Sequence, residues 1–187
     1  MVKRFVVVIL AILLASSTGM AKEIGGVNLP DALTAGKDKL ILNGAGLRKK
    51  FIIKVYAGGL YLLQKNNDPK KIVDADAPMA IRMQFIYDGV SNKDLVDTWN
   101  EGFAKATGGN ISPIKAEIDS FNGYFIEEAK KNDIYDIIYI PETGVHLYIK
   151  GALMGIIKGH AFKKALFSIW LGEKPADKNL KKGMLGK

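Results

Sequence analysis

The stretch that most constrains this chain runs from Leu40 to Leu63, LILNGAGLRKKFIIKVYAGGLYLL, where β-branched and aromatic residues flank a cluster of glycines and charges. This pattern reads as two strands bent or joined at Gly44-Ala45-Gly46 and Arg48-Lys49-Lys50. From Phe51 onward, alternation places Phe51, Ile53, Val55, Ala57, Gly59 and Tyr61 on one wholly apolar face. Ile52, Lys54, Tyr56, Gly58, Leu60 and Leu62 fall on a mixed face. Such a strand is covered on both sides. The apolar face calls for a helix layer or a second sheet, and the mixed face reads as a cleft wall that keeps a few polar groups.

The rest of the chain sets the bounds. At 187 residues it fits one domain with a sizeable core. It has no cysteine, which excludes disulfides, thiolate nucleophiles and Cys-ligated zinc. Residues 1–21 read as a secretory signal: Lys3-Arg4, an apolar run from Phe5 to Ala15, then Gly19-Met20-Ala21. The apolar run is short for a bilayer span, so cleavage before Lys22 is expected, with residues 22–187 forming a single periplasmic or secreted domain that has no stable membrane insertion. Removing Lys3 and Arg4 from a net charge of +8 leaves +6. The remaining lysines are dispersed in small pairs such as Lys49-Lys50 and Lys163-Lys164, without a basic-aromatic motif. They read as a solvated surface, and no nucleic acid partner is expected.

Taken in order, the exported part opens with a strand around Ile24 to Leu29 and turns at Pro30-Asp31 and Gly36-Lys37-Asp38 before the central strands. Asn66-Asn67-Asp68-Pro69 leads into a short helix near Lys70 to Val73, and Met79 to Tyr87 reads as a core strand. Ser91 with Asp94 starts a helix carrying Leu95, Val96, Trp99 and Phe103 on one side. Ser112-Pro113 starts a second, with Ile114, Ile118, Phe121 and Phe125 at helical spacing and Gly123 weakening its last turn. Ile134 to Ile140, Val145 to Ile149 and Ala152 to Ile157 form an antiparallel meander. A last helix buries Phe162, Leu166, Ile169 and Trp170, with Gly172 as its stop and Pro175 beyond. The order is that of an α+β fold, with helices packed on one face of a mainly antiparallel sheet.

Asn43-Gly44-Ala45-Gly46-Leu47-Arg48, followed by Lys54-Val55-Tyr56-Ala57-Gly58-Gly59-Leu60-Tyr61-Leu62, resembles the signature of the chalcone isomerase superfamily. The likeness extends from Val27-Asn28-Leu29-Pro30 to the segment Phe162–Pro175. That superfamily holds plant isomerases, plastid fatty-acid-binding proteins and a bacterial exported branch. The resemblance implies an open-faced β-sandwich and a ligand-facing or catalytic role for Arg48. It also implies that Tyr56, at the position where the fatty-acid-binding branch carries a tyrosine, holds a ligand carboxylate together with the arginine. In the isomerases the position matching Tyr56 is a threonine. Their counterpart of Gly89–Trp99 also carries a tyrosine and an asparagine that contact the flavonoid, and those contacts are largely gone here.

Three readings follow. The leading one is a binding protein for a carboxylated apolar molecule such as a fatty acid, with Arg48 and Tyr56 on the headgroup and Leu60, Leu62, Phe85 and Trp99 on the wall. A second is an intramolecular lyase or isomerase, with Arg48 stabilising an enolate and Tyr56 donating to it. A third is a ligand-free structural or interaction module. Arg48 by itself is also compatible with a surface cation next to two lysines, and Tyr56 with a core tyrosine. His146 and His160 lack a carboxylate at ligand spacing, so no metal is expected, and no phosphate loop or dinucleotide fingerprint calls for a cofactor. An unbroken strand would separate Arg48 from Tyr56 by about 26 Å. A shared ligand therefore requires a fold-back between them, which would leave their backbones on the order of 16 Å apart.

Overall fold

The structure, a computed structural model, describes residues 22–187, so the secretory signal expected over residues 1–21 lies outside the described residues. Strands β1 (Lys22–Ile24) and β2 (Val27–Leu29) form a two-stranded antiparallel ribbon. The single strand expected around Ile24 to Leu29 is thus interrupted, because Gly25 and Gly26 both adopt positive φ and reverse the chain. Seven further strands make one antiparallel sheet in sequence order: β3 (Ala32–Ala35), β4 (Asp38–Lys50), β5 (Ile53–Leu62), β6 (Met79–Phe85), β7 (Ile134–Ile140), β8 (Gly144–Ile149) and β9 (Ala152–Ile157). Each strand pairs with the next in chain order, with a long helical insertion between β6 and β7.

Helices α1 (Pro69–Asp74), α2 (Asn92–Ala106), α3 (Lys115–Asn122), α4 (His160–Leu171) and α5 (Lys178–Met184) contribute their buried side chains to one core with the face of the sheet that carries Tyr56, Leu60 and Leu62. The opposite face, with Ala57 and Tyr61, packs under the β1–β2 ribbon, and Tyr61 donates its hydroxyl hydrogen to the carbonyl of Pro30 at 3.0 Å. The α+β class and the one-sided helix layer therefore match the expectation from sequence. The capping chemistry also matches: Ser91 Oγ accepts from the Asp94 amide at 3.1 Å at the start of α2. Ser112-Pro113 instead opens a 3₁₀ turn that leads into α3, which ends at Asn122. Phe125 is buried all the same, but from the loop beyond the helix.

Helix α5 was not expected. Only seven residues long, it is capped by Asp177, whose Oδ1 accepts from the amides of Asn179 and Leu180 at 2.8 and 3.0 Å. It lies directly on the glycines of β4 and β5. A Cβ on Gly44 would strike the carbonyl oxygen of Gly183 and come within 2.8 Å of Gly186 N and Met184 O, and one on Gly46 would sit 2.9 Å from Leu180 Cα. Asn43 completes the seat, donating at 2.8 Å to the Met184 carbonyl. Gly44→Ala should therefore cost about 3 kcal/mol, the upper end of ordinary overpacking. Thermal melts should show the loss, with limited proteolysis cutting first at the C-terminal segment; an unchanged melting temperature would mean that α5 yields without cost.

Lys163, expected on the surface with Lys164, is fully buried instead. Its ammonium donates to the carbonyls of Val73 and Ala75 at 2.8 and 2.6 Å, with Ile72 O at 3.4 Å, and so closes the C-terminal end of α1. The Tyr139 ring lies 5.2 Å from the same nitrogen.

Candidate functional site

The fold-back required between Arg48 and Tyr56 is the β4–β5 hairpin, which turns at Phe51-Ile52 with Lys50 paired to Ile53. Arg48 and Tyr56 are directly opposite in register, and Phe85 of β6 is in turn opposite Tyr56. Directly paired residues sit about 4.5–5.5 Å apart at Cα, far closer than the 16 Å separation expected. The side chains of such a row emerge on one face of the sheet, here the face turned toward the helices.

A bulge makes this row possible. Pairing runs Lys50–Ile53, Lys49–Lys54, then Arg48–Tyr56, which leaves Val55 without a partner on β4. The slip of one residue reverses the facing of everything before it. Lys54, expected on the cleft face, pairs with Lys49 on the other side, and Ile53 moves to the cleft wall together with Val55. The Val55 carbonyl accepts from the amides of Ile86 and Tyr87 at 2.9 and 3.1 Å and so ties the bulge to the end of β6. Phe51 and Ile52 fall on the turn itself, each 93% exposed, rather than on either face of a covered strand.

Between this end of the sheet and helix α2 lies a cavity of about 380 Å³, within the size range of small-molecule sites. Arg48, Tyr56, Phe85 and Trp99 line it, with Val55, Met83, Leu95 and Ile169 supplying apolar wall and Lys50, Phe51, Tyr87 and Val90 around it. Leu60 and Leu62 do not. They belong to the closed core, because α5 sits on Gly58 beside them, with Met184 Cε only 2.8 Å from where a Cβ would be. The expected wall along the length of β5 is therefore replaced by a cavity confined to the hairpin end.

The polar groups of the cavity are mostly donors. Arg48 lies 3.9 Å from Asp177 through Nη1, which also donates to its neighbour's carbonyl at Lys49. Among the described residues Nε and Nη2 have no acceptor. The Tyr56 oxygen accepts from Trp170 Nε1 at 2.9 Å, which leaves its own hydrogen without an acceptor among the described residues. Burial pushes the Tyr56 pKa up to about 12, against the opposing pull of the Trp170 hydrogen bond and the Arg48 charge, so the hydroxyl keeps that hydrogen. Trp99 is 4% exposed, and its Nε1 is buried with no partner among the described residues. Its ring meets Trp170 edge-on at 5.6 Å. Asp94 is the one carboxylate lining the cavity, and it is engaged by the Ser91 hydroxyl at 2.7 Å.

Trp170 and Asp177 take part in this site although the sequence reading did not include them. Trp170 was legible as a buried helix residue but not as the partner of a tyrosine 114 positions away. Asp177 had a local signal, an N-cap type of residue followed by Leu180 and Met184 at helical spacing.

Comparison with known proteins places this architecture. A model of the family described as chalcone isomerase-like matches residues 21–186. The chain belongs to the chalcone isomerase-like family. An Arabidopsis thaliana protein named fatty-acid-binding protein 1 is 28% identical, over 79% of this chain and 63% of the relative. The chain thus spans less than two-thirds of that relative's length. A crystal structure of an Arabidopsis thaliana fatty-acid binding protein superposes with a TM-score of 0.69 at 22% identity, covering 86% of this chain and 92% of that one, which establishes the shared fold. Within this chalcone isomerase-like fold, among the described residues, no group of three or more His, Cys, Asp or Glu side chains could hold a metal ion. No helix there is long and apolar enough to cross a membrane.

Proposed function

We infer that this protein binds a carboxylated apolar molecule, such as a fatty acid, without transforming it. The observation that carries this reading is the excess of donors at an apolar cavity: among the described residues, Arg48 Nε and Nη2 and the Tyr56 hydroxyl hydrogen have no acceptor. Leaving buried donors unmade is costly. A carboxylate supplies acceptors and charge together, and the guanidinium plane suits it in a two-pronged contact. The name of the Arabidopsis relative, a fatty-acid-binding protein, agrees with this class of ligand.

Titration calorimetry with a medium-chain fatty acid tests the reading directly. Binding should quench or shift Trp99 emission, and Trp99→Phe should remove most of that signal. Affinity should also stay level from pH 7 to about 10, because burial keeps the Tyr56 proton in place up to about 12, whereas an exposed tyrosine would lose its donor near pH 10. A loss of affinity centred near pH 10 would remove Tyr56 from the headgroup site. Turnover of a chalcone should remain close to background, since a bulky buried phenol stands where the isomerases carry a threonine; a rate that collapses in Arg48→Ala would overturn the non-catalytic reading.

The setting belongs to the same proposal. The basic, apolar and small-residue layout of residues 1–21 supports export, with a chain beginning at Lys22 in the periplasm or medium. N-terminal sequencing of the fractionated protein decides it, and recovery only in membranes with Met1 intact would show an anchor instead.

A further inference from the structure

The β4–β5 hairpin does more than bring Arg48 and Tyr56 together: it ends in two large apolar side chains that touch almost nothing. Phe51 and Ile52 are each 93% exposed, and Phe51 adopts a positive φ of 57°, a conformation that a bulky side chain rarely takes and that turns normally give to glycine or asparagine. Ile53 and Tyr87, both 44% exposed, extend the apolar surface from the tip to the cavity, whose wall includes Phe51, Ile53 and Tyr87. Single exposed hydrophobes are ordinary, but a contiguous group around the mouth of a ligand cavity marks a contact surface.

The charges around the tip indicate what it contacts. Lys49, Lys50 and Lys54 flank the turn, are exposed, and make no ion pair among the described residues. Through the register they stand on both faces of the hairpin, Lys50 on the cavity side and Lys49 and Lys54 on the other. Acidic groups around this end of the molecule are already engaged: Asp177 with the amides that begin α5 and with Arg48, Asp94 with Ser91, and Glu101 with Lys105. An apolar tip inside a collar of unpaired lysines has the arrangement that inserts below anionic headgroups, with the aromatic and aliphatic groups in the acyl boundary and the ammonium groups among the phosphates.

We propose that the Phe51-Ile52 tip is a docking element for an anionic lipid bilayer, which sets the cavity mouth against the membrane surface so that an apolar ligand passes between bilayer and cavity without crossing water. The second half of this statement rests on the ligand reading given above, and the first half does not.

The test uses the chain from Lys22 onward, which holds every element of the fold described above. Cosedimentation is measured with vesicles of phosphatidylcholine alone and with vesicles containing about one-third phosphatidylglycerol. The wild type should partition onto the anionic vesicles and be released by added salt. Ile52→Ser, at a position outside the cavity wall, should weaken this partition about tenfold. The double variant Lys49→Gln/Lys54→Gln should weaken it roughly 30-fold, from about 1 kcal/mol per lysine near an anionic surface. Fatty-acid affinity in vesicle-free solution should be unchanged in both variants, whose melting temperatures serve as the folding control. Failure of the wild type to bind anionic vesicles, or equal binding by Ile52→Ser, overturns the docking proposal even where fatty acid binds in solution. Vesicle binding without any fatty-acid affinity would keep the docking element and reject the ligand reading. A concentration-dependent dimer in sedimentation velocity that Ile52→Ser abolishes, without lipid binding, would assign the tip to a second copy of the chain and overturn the proposal.

Discussion

Arg48→Ala should weaken binding of a medium-chain fatty acid by roughly 2–5 kcal/mol, because truncation leaves a desolvated anion without its charged partner. Arg48→Lys should recover only part of that loss, since an ammonium restores charge but not the two-pronged geometry. The stability cost should be small by comparison. The only ion pair of Arg48 among the described residues is a contact of 3.9 Å with Asp177, which keeps its hydrogen bonds from the Lys49, Asn179 and Leu180 amides when the arginine is gone. Tyr56→Phe should behave differently. It removes a donor to the ligand, and it also deprives the buried Trp170 N–H of its acceptor, so it should lose about 1–3 kcal/mol of folding stability as well. Calorimetry on the three variants, paired with denaturant melts, separates the two effects. Equal affinity of wild type and Arg48→Ala in a folded protein would remove the arginine from the site.

A purely structural effect as large as that of Gly44→Ala should come from Lys163. Lys163→Met preserves most of the volume of the side chain but strips the donors from the carbonyls of Ile72, Val73 and Ala75. The expected loss is about 2–4 kcal/mol, the cost of unpaired buried acceptors partly offset by relief of a desolvated charge. The pH dependence supplies an independent check. Burial pulls the Lys163 pKa down to about 8, with Asp76 and Asp74 acting against it. Between pH 8 and the ordinary lysine value of about 10.4 the unfolded chain therefore holds more protons than the folded one, so wild-type stability rises with pH across this window. The variant lacks that contribution, and the gap between the two urea midpoints should widen from pH 7 to pH 10. A constant gap would show that the ammonium titrates alike in both states.

Much of this fold was legible because its signals are local. The helix starts at Ser91 and Ser112-Pro113, the turn at Pro141-Glu142-Thr143-Gly144 and the meander that follows depend on residues a few positions apart, and the structure places elements at each. Periodicity failed where its assumption of unbroken register failed. The unpaired Val55 reversed the facing of Ile53 and Lys54, and no property of Val55 itself announces a bulge. Leu60 and Leu62 were assigned to a wall because alternation tells which residues share a face, but not what covers it. Helix α5 covers that part of the face, and it was missed because seven residues give too short a pattern to stand out.

Sequence alone therefore determined the class of fold, the grouping of Tyr56 with Leu60 and Leu62 on one face, and a bend between the two central strands. These follow from side-chain alternation, capping and chain length, which act over a few residues; that helices cover the Tyr56 face was not in the pattern. Tertiary structure decided the rest: that Arg48 and Tyr56 are direct neighbours, that the Tyr56 oxygen is taken by Trp170, that Lys163 is buried under the end of α1, and that Phe51-Ile52 projects from the cavity mouth. Each of these depends on register and on contacts between segments far apart in the chain. Their energies arise only when both partners lose water together, and no local pattern records which partner that will be.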